Sequence, residues 1–230
     1  VRWRWQVLRG LLRTLAWATA TPRHLKGAEF RPRADTPCVI VANHASYLDA
    51  LALIAVLPNP VTFVAKTELR SQFAVRLLLE RLDTEFVDRF QVEQSLRDAQ
   101  RLAARVGAGH SLLFFPEGTF TRRPGLLSFR LGAFLAAAAA GTPLLPVAIR
   151  GTRSILRSDS WFPRRGAINI ALSAPISLPT SEKGDSRALW NNALRLRNAA
   201  REIILAQTGE PDLGREGSPV EPPAVANPAS

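Results

Sequence analysis

The sequence predicts an α/β fold, a mostly parallel central sheet flanked by helices and entered through an N-terminal amphipathic helix. Three observations predict it. Short apolar or β-branched runs alternate with longer helix-period segments, as strand–helix–strand crossovers require. Four of those runs end abruptly in polar residues, and open α/β sheets bind ligands beyond the carboxyl ends of their strands. The first twenty residues repeat with a helical period and carry no acidic residue.

Taking the elements in order, Arg2, Gln6, Arg9 and Arg13 recur at spacings of four, three and four, which stacks them on one helical face. Trp3, Val7, Leu8, Leu11, Leu12 and Leu15 fill the opposite face, with Trp17 behind them. A basic, Trp-bearing helix of this kind lies in a membrane interface, so residues 1–20 are expected to associate with a membrane surface and its anionic phospholipids. Each Arg near an anionic leaflet contributes about 1 kcal/mol, which supports reversible binding and not spanning. The alternative is a helix packed on the domain's own core with solvated arginines. Arg9 and Arg13 interrupt any apolar run of the kind a secretory signal needs.

Strands are expected at Cys38–Ala42, Val61–Ala65, Glu85–Asp88, Ser111–Phe115, Leu144–Ile149 and Ile168–Leu172, and helices at Ser46–Val56, Ser71–Leu82, Gln91–Val106, Arg130–Ala140 and Ser186–Gln207. The uncharged stretch Leu131–Ile149 is too broken by Gly141, Pro143 and Pro146 to span a bilayer, and reads as a buried helix, a turn and a strand. Residues 21–208 thus form the globular domain. Residues 209–230, with five Pro, three Gly and few large apolar groups, are expected to be a disordered tail.

The 230 residues carry a formal charge of +11, and 27 of the 30 basic residues are Arg. Residues 1–35 hold eight basic and two acidic residues, so the excess is densest at the N-terminus. Nucleic acid would explain such a charge, but no zinc finger, RNA-binding signature or phosphate loop accompanies it. A single cysteine, Cys38, excludes an internal disulfide framework and a multi-cysteine metal site, and its place before an apolar strand makes it a small core residue. His24 and His110 have no partner pattern and read as surface or linker residues; no metal site is expected.

Chemistry concentrates at the strand ends. In Asn43-His44-Ala45-Ser46-Tyr47-Leu48-Asp49, His44 lies in the turn after a strand and Asp49 in the first turn of the next helix. That spacing lets the carboxylate fold back to one ring nitrogen, fixing the tautomer and leaving the other nitrogen as a base. The competing reading is a loop His beside an ordinary helix-start Asp. Phe115-Pro116-Glu117-Gly118-Thr119-Phe120-Thr121-Arg122 follows a second strand. Gly118 allows close backbone approach to a ligand, Thr119 can donate a hydrogen bond, and Arg122 suits a phosphate; alone, the fragment is equally an ordinary turn. Phe86-Val87-Asp88-Arg89 and Leu144 to Thr152 end two further strands.

Together these segments resemble the glycerolipid acyltransferases, the lysophosphatidic acid acyltransferase-like family, over about residues 20–207. Asn43, His44 and Asp49 match its N-H-x-x-x-x-D signature, and Phe115 to Thr119 its F-P-E-G-T, with Arg122 three residues on. Leu145 to Gly151 match a V-P-V-A-I-R-G-like run, with Leu for the first Val. The remaining signature, G-x-x-F-V-x-R, is met at Phe86, Val87 and Arg89, while Asp83 replaces its Gly; Phe120 stands where many relatives carry another Arg. The pattern from Glu85 through Gln94, with F-P-E-G-T-F-T-R after it, also resembles acyltransferase domains fused behind adenylate-forming ligases. Such an origin fits a chain that does not open on Met, as does a misread start codon.

The resemblance implies O-acyl transfer from an acyl thioester donor, acyl-CoA or acyl-carrier protein, to a lysophospholipid hydroxyl. The acceptor it implies first is 1-acyl-glycerol-3-phosphate, giving phosphatidic acid; another lysophospholipid acceptor, or an inactive membrane scaffold, is the alternative. His44 is then general base and Asp49 its orienting partner, and no separate cofactor is required. Arg122, Arg89 and Lys66, which matches the family's lysine after the second strand, would hold the acceptor phosphate. Glu117 would hydrogen-bond the acceptor, order the arginines, or tether the turn. The expected location is the cytoplasmic face of a membrane, peripherally bound.

Overall fold

The computed structural model describes residues 2–66, 84–87, 92–121, 123–156, 162–177 and 186–214. The chain opens with α1 (Arg2–Ala18) and β1 (Arg23–Lys26), then passes a 3-10 turn (Ala28–Phe30) to β2 (Val39–Ala42) and α2 (Leu48–Val56). β3 (Thr62–Lys66), β4 (Glu85–Val87), α3 (Val92–Gly107) and β5 (Leu112–Phe114) follow. The domain closes with α4 (Gly132–Ala140), β6 (Leu144–Arg150), a short α5 (Thr152–Ile155), β7 (Ile168–Leu172) and the long α6 (Ser186–Thr208). The helix expected over Ser71–Leu82 lies outside the described residues.

Among the described residues, seven strands form one sheet in the order β1-β7-β6-β2-β5-β3-β4. The pairings β6–β2, β2–β5, β5–β3 and β3–β4 are parallel, β7 runs antiparallel to β6, and β1 pairs parallel with β7. The expected fold class is the observed one. Strand β2 is central and fully buried, and its alternating side chains serve two cores. Val39 and Val41 face a layer built from α3, α4 and α6, including Leu102, Phe134, Trp190, Leu196 and Ile204. Ile40 and Ala42 face the opposite layer, where α1 and α2 contribute Trp5, Leu53 and Ile54. With helices on both faces, the interior strands read as continuous apolar runs, which is why they were legible.

The Ala-rich α4 shows how local preference and burial agree. Alanine costs least in a helix, and Phe134 and Leu135 supply the large side chains that this helix buries among its alanines. Gly141 ends it at φ 59°, a left-handed conformation that glycine reaches without strain. β6 then begins three residues later.

Two expectations need correction. The apolar face assigned to α1 is split. Leu8 and Leu12 pack on the core together with Trp5, which the helical count had not placed there. The Trp5 indole N–H donates to the Leu57 carbonyl at 3.1 Å, and the Gln6 amide donates to the Pro58 carbonyl at 2.7 Å. Trp3, Val7, Leu11 and Leu15, spaced by four, remain exposed as a separate stripe, with Trp17 81% exposed. The helix is therefore docked on the domain and still presents apolar surface.

The second correction concerns residues 209–214, expected to begin a disordered tail. They lie against the loop around Leu126: Leu126 N–H donates to the Pro211 carbonyl at 2.9 Å, and Leu213 N–H to the Leu126 carbonyl at 3.0 Å. Composition suggested disorder, but α6 delivers this segment directly onto a loop with unpaired backbone groups. β1 was also missed, because Arg-His-Leu-Lys has no apolar run; it is an edge strand with alternating partial burial, and His24 on it is exposed, the surface alternative and not the linker one.

Candidate active site

The ends of β2, β5 and β6 lie side by side, and their polar residues meet at one rim. β2 gives way to Asn43, which is buried and continues the ladder with its side chain. Its amide nitrogen donates to the Ile149 carbonyl at 2.9 Å, and its Oδ1 accepts from the Ile149 N–H at 2.7 Å. Asn43 thus replaces a backbone rung where the chain must turn, and it locks the β2 exit to the end of β6. The sequence marked this residue as part of a motif, but the pairing with Ile149 connects positions 106 apart.

After Asn43 the chain turns tightly into α2. Asp49 is fully buried, and a single oxygen, Oδ2, organises the turn. It accepts from the Ala45 N–H at 2.6 Å, from the Ser46 N–H at 2.8 Å, and from His44 Nδ1 at 2.9 Å. The two sequence readings of Asp49 are both realised, since the carboxylate satisfies amides at a helix start and holds the imidazole. A carboxylate accepts, so Nδ1 carries the proton and Nε2 is left as the basic nitrogen. Among the described residues Nε2 has no hydrogen-bond partner. Ser46 secures the turn from the other side by donating its hydroxyl to the Leu156 carbonyl at 2.9 Å.

The His44 ring is held between aromatics. It stacks on Phe115 with centroids 4.2 Å apart, and Phe120 meets it edge-on at 4.6 Å. Tyr47, 63% exposed, packs edge-on against Phe120 at 4.8 Å. These contacts flank the ring and leave its side chain 19% exposed. Sequence reasoning had named Phe120 as a departure from relatives but had not placed any of the three rings beside His44. Their position at the two motif turns was the available signal.

Glu117 spans the two turns. It is 5% exposed; Oε1 accepts from the His44 N–H at 2.7 Å and Oε2 from the Leu127 N–H at 2.8 Å. Each oxygen thus accepts from the protein's own backbone, which is the geometry of the tethering alternative among the three roles the sequence left open. Burial pushes its carboxyl up to about 7, opposed by the two amides; Glu210 raises it further and Arg153 lowers it. Gly118 follows at φ 72°, a conformation a side chain resists, and its N–H closes a turn onto the Phe115 carbonyl at 2.9 Å. Thr119 is exposed beyond it.

Of the expected phosphate ligands, Lys66 closes β3, while Arg89 and Arg122 lie outside the described residues. Among the described residues, no group of three or more His, Cys, Asp and Glu is placed to hold a metal ion. Cys38 is buried, which pushes its thiol up to about 11 and makes it inert as a nucleophile. No described helix is long and apolar enough to cross a membrane.

Comparison with known proteins matches residues 23–150 to a family described as Acyltransferase. The chain is 31% identical over 153 residues to the chloroplastic 1-acyl-sn-glycerol-3-phosphate acyltransferase BAT2 of Brassica napus, covering 66% of this chain and 44% of that protein. It is 28% identical to the human 1-acyl-sn-glycerol-3-phosphate acyltransferase beta, covering 90% and 72%, and 30% identical to the lysophospholipid acyltransferase LPEAT1 of Arabidopsis thaliana, covering 84% and 52%. The chain thus spans less than half the length of the Brassica relative and about half that of the Arabidopsis one. In fold it is similar to the crystal structure of the 1-acyl-sn-glycerophosphate acyltransferase PlsC from Thermotoga maritima, with a TM-score of 0.69 at 23% identity over 89% of this chain and 78% of that one.

Proposed function

This chain belongs to the acyltransferase family, and from that membership we propose that it moves a fatty acyl group from a thioester donor to the free hydroxyl of 1-acyl-glycerol-3-phosphate, giving phosphatidic acid. The observation that carries the reading is the His44–Asp49 pair, with Nδ1 held at 2.9 Å and Nε2 directed away from its partner. An alcohol is a poor nucleophile near neutral pH, and a positioned base is what the reaction lacks.

In this mechanism His44 Nε2 takes the hydroxyl proton as the acceptor oxygen bonds to the thioester carbonyl carbon. Asp49 stabilises the imidazolium that forms. The tetrahedral intermediate collapses with cleavage of the carbon–sulfur bond, and the imidazolium returns the proton to the leaving sulfur. The products are an ester and a free thiol. The donor is already activated as a thioester, so the chemistry calls for no resident cofactor. Acyl-CoA and acyl-carrier protein both supply such a donor.

The rings of Phe115, Phe120 and Tyr47 provide an apolar surround for acyl chains next to the base. Gly118 and Thr119 border the acceptor side, and Lys66, Arg89 and Arg122 are assigned to its phosphate. Association with a membrane surface is supported by the exposed stripe Trp3, Val7, Leu11 and Leu15 on a helix that also carries Arg2, Arg4, Arg9 and Arg13, and the cytoplasmic face is part of the proposal.

The test is an assay of purified protein with labelled acyl-CoA or acyl-carrier protein and a panel of lysophospholipids. Label appearing in phosphatidic acid is the expected result. Transfer to a different lysophospholipid alone would replace the acceptor, and no turnover with any acceptor at neutral pH would end the enzyme reading.

A further inference from the structure

The segment after α6 does more than cover a loop. Gly209, at φ 62°, turns the chain off the helix, and Glu210 then reaches two elements at once. Its Oε2 accepts from the Gly125 N–H at 2.8 Å, and its carboxylate takes Arg153 Nη1 at 2.7 Å and Nη2 at 3.2 Å. Arg153 sits on α5, directly after the β6 exit where Asn43 is tied to Ile149. Two residues on, Asp212 pairs with Arg201 of α6, whose Nη2 also donates to the Leu126 carbonyl at 3.1 Å. Gly125 stands at φ 145°, where a side chain is strained, and a Cβ there would displace the Leu213 side chain.

These contacts converge on residues 125–127, and Leu127 N–H is one of the two donors that Glu117 grips, the other being His44 N–H. The path from Glu210 to the base is therefore short and continuous: Glu210 to Gly125, along two peptide units to Leu127, through Glu117 to the backbone of His44. A partly buried, bidentate Arg–carboxylate pair has a defined geometry, unlike a solvated one. Glu210 is 21% exposed and Arg153 17%, so the pair is largely shielded.

We infer that Glu210, clamped by Arg153, is a positioning residue for acyl transfer, setting the distance and tilt of His44 through the Gly125–Leu127 loop and Glu117. It touches neither substrate. The inference rests on the acyl-transfer reading and adds to it a residue about ninety positions beyond the motif it serves. The dipeptide Glu210–Pro211 lies where composition pointed to an unstructured end, so nothing local in the sequence marked it.

The test compares Glu210→Gln with wild type in acyl transfer, in thermal unfolding and in the Nδ1–H proton resonance of His44. That resonance is assigned as the one lost in His44→Asn among three histidines. The expected result is a fall in kcat of about tenfold with acceptor KM held within about twofold, at a temperature where the variant is fully folded, and a shifted His44 resonance. In a Glu117→Gln background the further loss should be under about twofold, because the path is already cut. A kcat within about twofold of wild type, a loss carried by KM, or an undiminished loss in the Glu117→Gln background overturns the inference. Should Glu210→Gln not fold, Arg153→Lys, which keeps the charge but not the bidentate geometry, is read by the same criteria. A wild type that transfers no acyl group defeats the enzyme reading instead, and the His44 resonance alone then decides whether Glu210 positions the ring.

Discussion

Asp49 Oδ2 lies 2.9 Å from His44 Nδ1, and the same oxygen accepts from the backbone amides of Ala45 and Ser46. One atom therefore fixes both the backbone of the turn and the tautomer of the imidazole. A His→Ala change tests the base, whereas an Asp→Asn change tests the coupling. His44→Ala is expected to lower kcat by at least about a hundredfold, the usual scale for a lost general base, with little effect on the melting temperature. Asp49→Asn should cost about as much activity or more, because an amide that turns its NH2 toward Nδ1 stabilises the wrong tautomer. It should also destabilise the fold by about 1–3 kcal/mol, as buried amides lose a charged acceptor. Steady-state assays paired with urea unfolding check both.

Glu117 makes stability depend on pH in a direction that follows from its buried position. Its carboxyl is raised from 4.5 to about 7 in the folded protein. Between those values the native state binds more protons than the unfolded chain, so this group's contribution falls as pH rises from about 4.5 through 7. The full difference is on the order of 3 kcal/mol. Glu117→Gln removes the titration while leaving one amide facing an N–H donor. Its destabilisation relative to wild type should be larger at pH 5 than at pH 8. Urea unfolding of both proteins at the two pH values measures this, and a gap that does not change with pH would contradict it.

Asn43 is a structural counterpart. Replacing it with Ala leaves the Ile149 N–H and carbonyl buried without their partners. The expected cost is about 2–4 kcal/mol, read as a lower urea midpoint at an unchanged slope. Activity should fall as well, since His44 is the next residue in the chain.

On α1 the two apolar faces are expected to separate experimentally. Trp3→Asp with Leu11→Asp should abolish sedimentation with anionic liposomes while the melting temperature shifts little, because both side chains are exposed. Trp5→Ala should do the reverse in stability, lowering it by about 3–5 kcal/mol through loss of a buried ring and its bond to Leu57. Point variants are preferable to deleting residues 1–20, which would remove Trp5 from the core. Binding that persists in the double Asp variant would assign the stripe some other role.

Much of this protein was readable before any coordinates. Interior strands of a sheet covered on both faces must be apolar throughout, so β2, β3, β5 and β6 announced themselves, β7 did so by alternation around the exposed Asn169, and the abrupt polar ends of β2 and β5 located His44, Asp49 and Glu117. The His–Asp contact was legible because both residues lie within one turn, where spacing alone dictates reach. α1 was legible as a helix, but its periodicity did not say which apolar stripe would find a partner.

What the tertiary structure decided are relationships between distant segments, for which the chain carries no local period. Glu117 bridges the turn after β2 to Leu127; Asn43 completes a rung with Ile149; Glu210, at what composition marked as a loose end, clamps Arg153 and Gly125. Asn43 and Glu117 are buried and Glu210 partly so; apart from Arg153, their partners are backbone amides or carbonyls, which nearly every residue type offers alike. Pattern in a sequence records which side chains are apolar and which can react. Which backbone groups remain unpaired, and so which carboxylates must come to meet them, is settled when the elements pack together.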